Sequence, residues 1–219
     1  MSHDDFDFEP IRGLPAMLPA GEKLLWQGSP EWKSLAIRAY HVRKIGIYFL
    51  LLVLWRIGAG IGAGHAPSAI VSSCLILAGL GSIAIGVLAL LAYCNARSTV
   101  YSITSRRVLL RHGIAVPLTM NVPHTLIDNA ALKSFSNGTG DIALTLSRRE
   151  RAGYLITWPH VRPRRFARPE PSFRALTDAA DAAQILRLAL TAQAGAAPEP
   201  SVGVQNAEPV TAGYRQAAA

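Results

Sequence analysis

The sequence predicts an α+β membrane protein: a two-helix transmembrane hairpin followed by a cytoplasmic antiparallel β-barrel capped by a C-terminal helix. Three observations support this. Two apolar runs, Ile45 to Gly64 and Ala69 to Cys94, each reach the ~20 residues that cross a bilayer, and Arg56 is the one formal charge in that stretch. From Thr99 the apolar residues fall into short β-type runs separated by turn residues. Beyond Asp178 the spacing becomes that of an amphipathic helix. The divisions that follow are a cytoplasmic N-terminal segment at 1–40, the hairpin at 41–96, the barrel domain at 97–193 and a disordered tail at 194–219.

Composition narrows the function classes before any motif is read. Of the 219 residues half are apolar and only 16% are charged, and the mean hydropathy is +0.25, which disfavours an ordinary cytosolic enzyme. No Asp or Glu occurs between Glu31 and Asp128. The net charge of +8 and a sequence pI near 10.0 suit nucleic acid, an anionic bilayer or an acidic protein, and composition does not choose among them.

The hairpin comes first. Its opening run follows forty-odd residues that include Asp4, Asp5, Asp7, Glu9, Glu22 and Glu31, an unsuitable start for a cleavable signal peptide. Lipid cannot satisfy backbone polar groups, so two apolar runs joined by a short Pro67-containing turn read as paired helices. Lys33, Arg38, Arg43 and Lys44 precede the first, and Arg97, Arg106, Arg107 and Arg111 follow the second, whereas the turn holds only His65. The positive-inside rule therefore places both termini of a multi-pass protein in the cytoplasm. Cys74 and Cys94 lie about 30 Å apart on a continuous helix and cannot bridge within the chain. They read as small apolar fillers, with an intermolecular Cys94 disulfide as the alternative.

Arg56 is the costly residue, at about 2.5 to 3.5 kcal/mol for a mid-helix cation. Two readings stand. Its side chain snorkels toward the far headgroups beside Trp55, or it meets a partner helix, a carboxylate or a pigment carbonyl across a face shared with Ala59, Gly60 and Ala63. Small residues recur at spacing four in the second helix, at Cys74, Ala78, Ser82 and Gly86, and Gly58 with Gly62 forms a GxxxG in the first. Packing within the hairpin explains these; packing against a second copy or a foreign helix is the other reading. The run Gly58 to Ala63 also fits a dinucleotide fingerprint, but no soluble strand precedes it and no acidic residue follows twenty positions on.

The strands are taken in order as TVYSI, RVLLRH ending at Gly113, PLTMNV ending at Pro123, TLIDNAALKSF, and DIALTL after the turn Ser136 to Gly140. Gly153 to Trp158 is predicted as a further strand. Asn137-Gly138-Thr139 has the form of a glycosylation sequon but reads as a hairpin tip. Pro163 and Pro171 then interrupt the pattern among Arg162, Arg164, Arg165, Arg168 and Arg174. Thr177 or Asp178 caps a helix with Ala182, Ile185, Leu188, Ala189 and Ala192 on one side, ending before Gly195.

Strands closing on themselves under one C-terminal helix form the plan of a pleckstrin-homology-like (PH-like) barrel. The phrase YSITSRRVLLRHG, Tyr101 to Gly113, with Pro123, Ile127 and the Gly-Asp-Ile turn at Gly140 to Ile142, resembles the bacterial membrane-tethered PH domains. GEKLLWQGSPEW, Gly21 to Trp32, is similar to the segment before the helices in that family. Together with HDDFDFEPIRGLPAMLPA and YLITWPHVRPRRFARPEPSFRAL, these phrases resemble the PuhB family of photosynthetic-complex assembly proteins of purple bacteria, over nearly the whole chain to about residue 193. That resemblance implies a non-enzymatic assembly factor for the photosynthetic reaction centre and its core light-harvesting ring. Its partners would be reaction-centre and core antenna subunits, gripped by the hairpin and the PH-like face.

An adaptor whose Arg106, Arg107, Arg111, Arg162, Arg164, Arg165 and Arg168 bind anionic headgroups is the second function reading, each near-surface cation contributing about 1 kcal/mol; a solvated flank with no ligand is the third. No catalytic motif accompanies the six dispersed histidines, and no metal or cofactor is predicted. His41 or His65 as a bacteriochlorophyll ligand is weighed against an ordinary interfacial histidine. Nucleic acid is not predicted, because no Arg-rich recognition helix is present, and a homodimer remains among the expected assemblies.

Overall fold

The computed structural model describes residues 13–14, 16–147 and 153–195. The chain opens with β1 (Leu24–Gly28) and α1 (Trp32–Arg38), then two long helices, α2 (Val42–Gly62) and α3 (Pro67–Ser98). There follow β2 (Val100–Thr104), β3 (Arg107–His112), β4 (Leu118–Pro123), a 3-10 turn at His124–Leu126, β5 (Ile127–Ser134), β6 (Gly140–Leu146), α4 (Tyr154–Thr157), β7 (Ser172–Leu176) and α5 (Ala179–Gly195).

Both long helices are apolar enough to cross a membrane, and few of the side chains in their most apolar windows are buried. Leu50, Leu54, Leu75, Ile76, Ile83 and Leu90 are each more than half exposed, a surface that only lipid or another apolar partner stabilises. The hairpin seam closes where glycine admits a neighbour. A Cβ on Gly81 would stand 2.8 Å from Cγ of Phe49, and one on Gly60 2.8 Å from Cγ1 of Ile70. Gly46 faces Ile85, so the start of α2 at Val42 stands level with Ala89. About 13 Å of α3, residues 90–98, therefore continues beyond α2.

That extension is what α1 covers. Glu31 caps α1, its carboxylate accepting from the backbone N–H of Lys33 at 2.9 Å and Ser34 at 2.6 Å. Leu35, Ala36 and Tyr40 then pack with Ala92 and Ala96 of α3 and Ala175 of β7. Sequence reading treats residues 1–40 as a segment apart from the barrel domain; in the structure Leu24–Gly28 forms the first strand and pairs antiparallel with β2.

The strands form two antiparallel sheets, β1-β2-β3-β4 and β5-β6-β7. The expected closed barrel does not form, because the His124–Leu126 turn interrupts the ladder between β4 and β5, and β1 and β7 are separate edges. Side chains fill the space between the sheets instead. Tyr101, Ile103, Val108 and Leu110 from one sheet meet Ile142, Leu144 and Phe173 from the other, under Ala182 and Leu186 of α5. Trp26 stacks on Phe173 at 5.9 Å, and its indole N–H donates to Asp178 at 2.8 Å, tying β1 to the start of α5. Ala182 and Ala189 of the predicted helix stripe are buried, but Leu188 is 55% exposed.

Two further expectations change. Gly153 to Trp158, predicted as a strand, contains the helical turn α4; Thr157 Oγ1 and the N–H of Thr157 both donate to the Gly153 carbonyl, and no strand pairs with the segment among the described residues. The strand expected there is supplied by Ser172–Leu176, within the arginine- and proline-rich stretch, which pairs with β6. The predicted tail lies outside the described residues beyond 195.

Candidate membrane and partner interface

Helix α3 passes into β2 through Thr99 alone, which is extended and fully buried. Around that junction is a buried polar cluster whose members are distant in sequence. His160 is fully buried; its Nδ1 lies 2.6 Å from the Tyr101 hydroxyl, and its Nε2 lies 2.7 Å from Asn95 Oδ1 and 3.1 Å from Thr99 Oγ1. These partners assign the ring proton to Nε2, donating to Asn95, while Tyr101 donates to Nδ1. Tyr101 in turn accepts from the N–H of Arg174 at 3.1 Å. Burial, the nearby His112 and the Arg174 charge hold His160 well below the ordinary imidazole pKa, so the ring is neutral. Burial pushes the Tyr101 phenol up.

Arg174 completes the joint. Its Nε lies 3.0 Å from Asp141 Oδ2, its Nη1 donates to the Val161 carbonyl at 3.0 Å, and Asp141 Oδ1 accepts from the N–H of Ala175 at 2.8 Å. On the neighbouring side the predicted hairpin tip clasps α1. Arg38 donates to Asn137 Oδ1 at 2.6 Å and Thr139 Oγ1 at 3.0 Å, and Asn137 Nδ2 donates to Ser34 at 2.8 Å. The Arg38 guanidinium also stacks on Phe135 at 3.3 Å. The sequon-like triplet thus fastens the domain to the helix that leads into α2.

The residues predicted to bind partners separate into inner and outer sets. Arg56 Nη2 donates to Ser73 Oγ at 3.1 Å, so the cation reaches across to its own α3. Gly60 is buried in the seam, whereas Ala59 and Ala63 are exposed. Ala78, Ser82 and Gly86 are exposed on α3, and a Cβ on Gly58, Gly62 or Gly86 would meet nothing within 4 Å. The spacing-four ridge is therefore not what closes the hairpin.

The seven arginines do not form one patch. Arg107 pairs with the buried carboxylate of Glu22 through Nε and Nη2, both at 2.8 Å. Burial pulls the Glu22 pKa up, but the bonds from Arg107 and Thr104 outweigh it and the net shift is down. Arg162 and Arg165 both reach the buried Glu170, at 2.8 and 3.5 Å. Arg111 is 7% exposed, inside β3. Arg106, Arg164 and Arg168 keep exposed side chains. Arg106, in the turn before β3, and Arg107, its first residue, stand at the end of the sheet away from α3, one strand length of about 17 Å from the helix exit. Sequence reasoning missed Glu22 and Glu170 as neutralising partners because they lie 85 and 8 positions from the arginines they bind.

Two antiparallel sheets under a C-terminal helix, joined without a linker to a pair of membrane-length helices, define a membrane-tethered PH-like protein. The chain belongs to the Bacterial PH domain family, whose match covers residues 46–189 and so includes the hairpin. It is 37% identical over 194 residues to an uncharacterized 23.7 kDa protein in the puhA 5′ region of Rhodobacter capsulatus, covering 88% of this chain and 91% of that protein. No solved structure matches the chain.

Proposed function

We propose that this protein is a non-enzymatic assembly factor for the photosynthetic reaction centre and core light-harvesting complex of a purple bacterium. The observation that carries the proposal is the 37% identical relative from the puhA 5′ region of Rhodobacter capsulatus, in line with the resemblance of the sequence to the PuhB family of photosynthetic-complex assembly proteins. The architecture supports it: an exposed pair of apolar helices presents lipid-facing surface to partner helices, and a PH-like module is held rigidly beside them for their extramembrane segments. The outward residues Ala59, Ala63, Ala78, Ser82 and Gly86 are the surface on which a partner helix approaches closely. Deletion of the gene is expected to lower assembled reaction centre and core antenna several-fold in membrane absorption spectra while pigment synthesis continues. Unchanged spectra and phototrophic growth would sink the role. The adaptor alternative, with the seven arginines as one headgroup site, is disfavoured by the internal contacts of Arg107, Arg111, Arg162 and Arg165.

In this proposal the protein is a multi-pass component of the inner membrane with both termini in the cytoplasm, a reading supported by Arg43 and Lys44 at one end of the hairpin and a turn carrying only His65 at the other. In a Cys74→Ala, Cys94→Ala background, an impermeant thiol reagent applied to spheroplasts is expected to label a cysteine at Ala66 and not one at the exposed Ala180. The reverse pattern overturns the orientation.

A further inference from the structure

The connection between β6 and β7 carries a surface that neither the core nor the proposed assembly role uses. Leu155 is 87% exposed, Ile156 65%, Trp158 43% and Phe166 69%. Phe166 is held against α4 by its ring contact with Tyr154 at 4.7 Å, so the four belong to one patch. Residues 153–169 contain four arginines and no Asp or Glu, and Arg164 and Arg168 are exposed beside the apolar side chains.

The position of this patch is fixed from two directions. Trp158 packs edge-on against Tyr40 at 5.1 Å, and Tyr40 lies two residues before the start of α2. His160 is bonded to Asn95, within the part of α3 that extends past the level of Val42. The exposed Arg43 and Lys44 mark the edge of the hydrocarbon at that end of α2. An aromatic pair at the same height, Trp32 with Tyr93 at 6.0 Å, has the composition of an interfacial belt. Trp158 and α4 therefore stand at the height of the headgroups, in the layer that separates ~30 Å of hydrocarbon from water.

We propose that the segment 153–168 is an interfacial membrane anchor, with Leu155, Ile156, Trp158 and Phe166 immersed in the leaflet on the domain side and Arg164 and Arg168 on the phosphates of anionic lipids. The inference rests on the hairpin spanning the bilayer and does not depend on the assembly role. Apolar side chains bordered by cations are the chemistry that the headgroup boundary accepts. Continuity with the helices names the occupant: the same bilayer that the hairpin crosses. The apolar tip between β3 and β4, with Val116 68% exposed, adjoins the same end, since His112 at its base contacts His160 at 5.4 Å.

The test uses the full chain with Cys74→Ala and Cys94→Ala, reconstituted in phosphatidylglycerol or phosphatidylcholine vesicles, with an environment-sensitive fluorophore on a single cysteine at Leu155 or, as control, at the exposed Ala192 of α5. Quenchers carried on the lipid acyl chains are expected to quench the Leu155 probe severalfold more than the Ala192 probe, with aqueous iodide giving the opposite order. Equal iodide access at both sites overturns the anchor. A Leu155 probe that is wet in pure lipid and shielded only when reaction-centre subunits are added would assign the patch to a protein partner instead. Arg164→Glu with Arg168→Glu is expected to reduce acyl-chain quenching in phosphatidylglycerol and leave it unchanged in phosphatidylcholine. No change in phosphatidylglycerol removes the headgroup role of the two arginines.

Discussion

His160→Ala is expected to destabilise the domain by about 4 kcal/mol and to loosen it from the hairpin. The substitution leaves a cavity and strips Tyr101, Asn95 and Thr99 of a common partner in a site from which water is excluded. In detergent-solubilised full-length protein the domain transition should fall by roughly 10 °C, with new proteolytic cutting between α3 and β2. Tyr101→Phe, which removes only the hydroxyl, should cost about 1 to 2 kcal/mol. An unchanged transition in both variants would show that the cluster does not hold the joint. Acid is expected to act through the same site. His160, His112 and His124 are all pushed below the usual 6.5 by burial, opposed in part at His124 by Glu22 and the Arg107 backbone. Protonation of His160 would place a charge against Tyr101, the neighbouring His112 ring and Arg174. The unfolded chain takes up protons near 6.5 while the folded chain resists until lower pH, so stability is complete above 6.5 and declines as pH falls below it. The decline should be shallower in His160→Ala.

Gly81→Leu is expected to separate the hairpin, at a cost of about 1 to 3 kcal/mol or more, because its Cβ alone would sit 2.8 Å from Phe49 Cγ and 3.0 Å from Phe49 Cβ. Gly86→Leu, with open space around the same position, should leave the hairpin intact. Cysteines placed at Gly46 and Ile85, which face each other across the seam, report the difference through the yield of their disulfide. The yield should drop sharply with Gly81→Leu and hold with Gly86→Leu. Equal yields would mean that Phe49 yields easily and the seam is not set at Gly81.

These contrasts show what a linear reading captures here. The apolar runs, the short turn between them and the strands from Val100 to Leu146 are local patterns of period and length, and each is found close to where the sequence places it, with Pro67 opening α3 and not lying in the turn. β1 escapes notice because LLWQG is too short to show a period among charged neighbours, and its strand character depends on pairing with β2. SFRAL of β7 is masked by the Arg and Pro residues that precede it, and Arg174 within it is accommodated only because Asp141 lies across the sheet. GYLITW has β-type composition but no ladder partner among the described residues, and it winds into a turn. Of the candidate site, the exposed small residues were visible, but spacing alone could not separate them from the seam glycines. The His160 cluster is invisible in the sequence because His160 lies 59 to 65 positions from its partners Tyr101, Thr99 and Asn95.

The single extended residue between α3 and β2 leaves no slack for independent motion of hairpin and domain. At 32 residues, α3 is a shaft of about 48 Å, and a change in lean of roughly 10°, within the range that bilayer thickness imposes on spanning helices, would sweep its outer end through about 8 Å. The sheets would follow as a pointer follows its spindle. In the proposed membrane-spanning arrangement, any influence on the lean of the hairpin, whether a thinner bilayer or a neighbouring helix pressing on one side, is thereby converted into a displacement of the whole domain across the membrane surface.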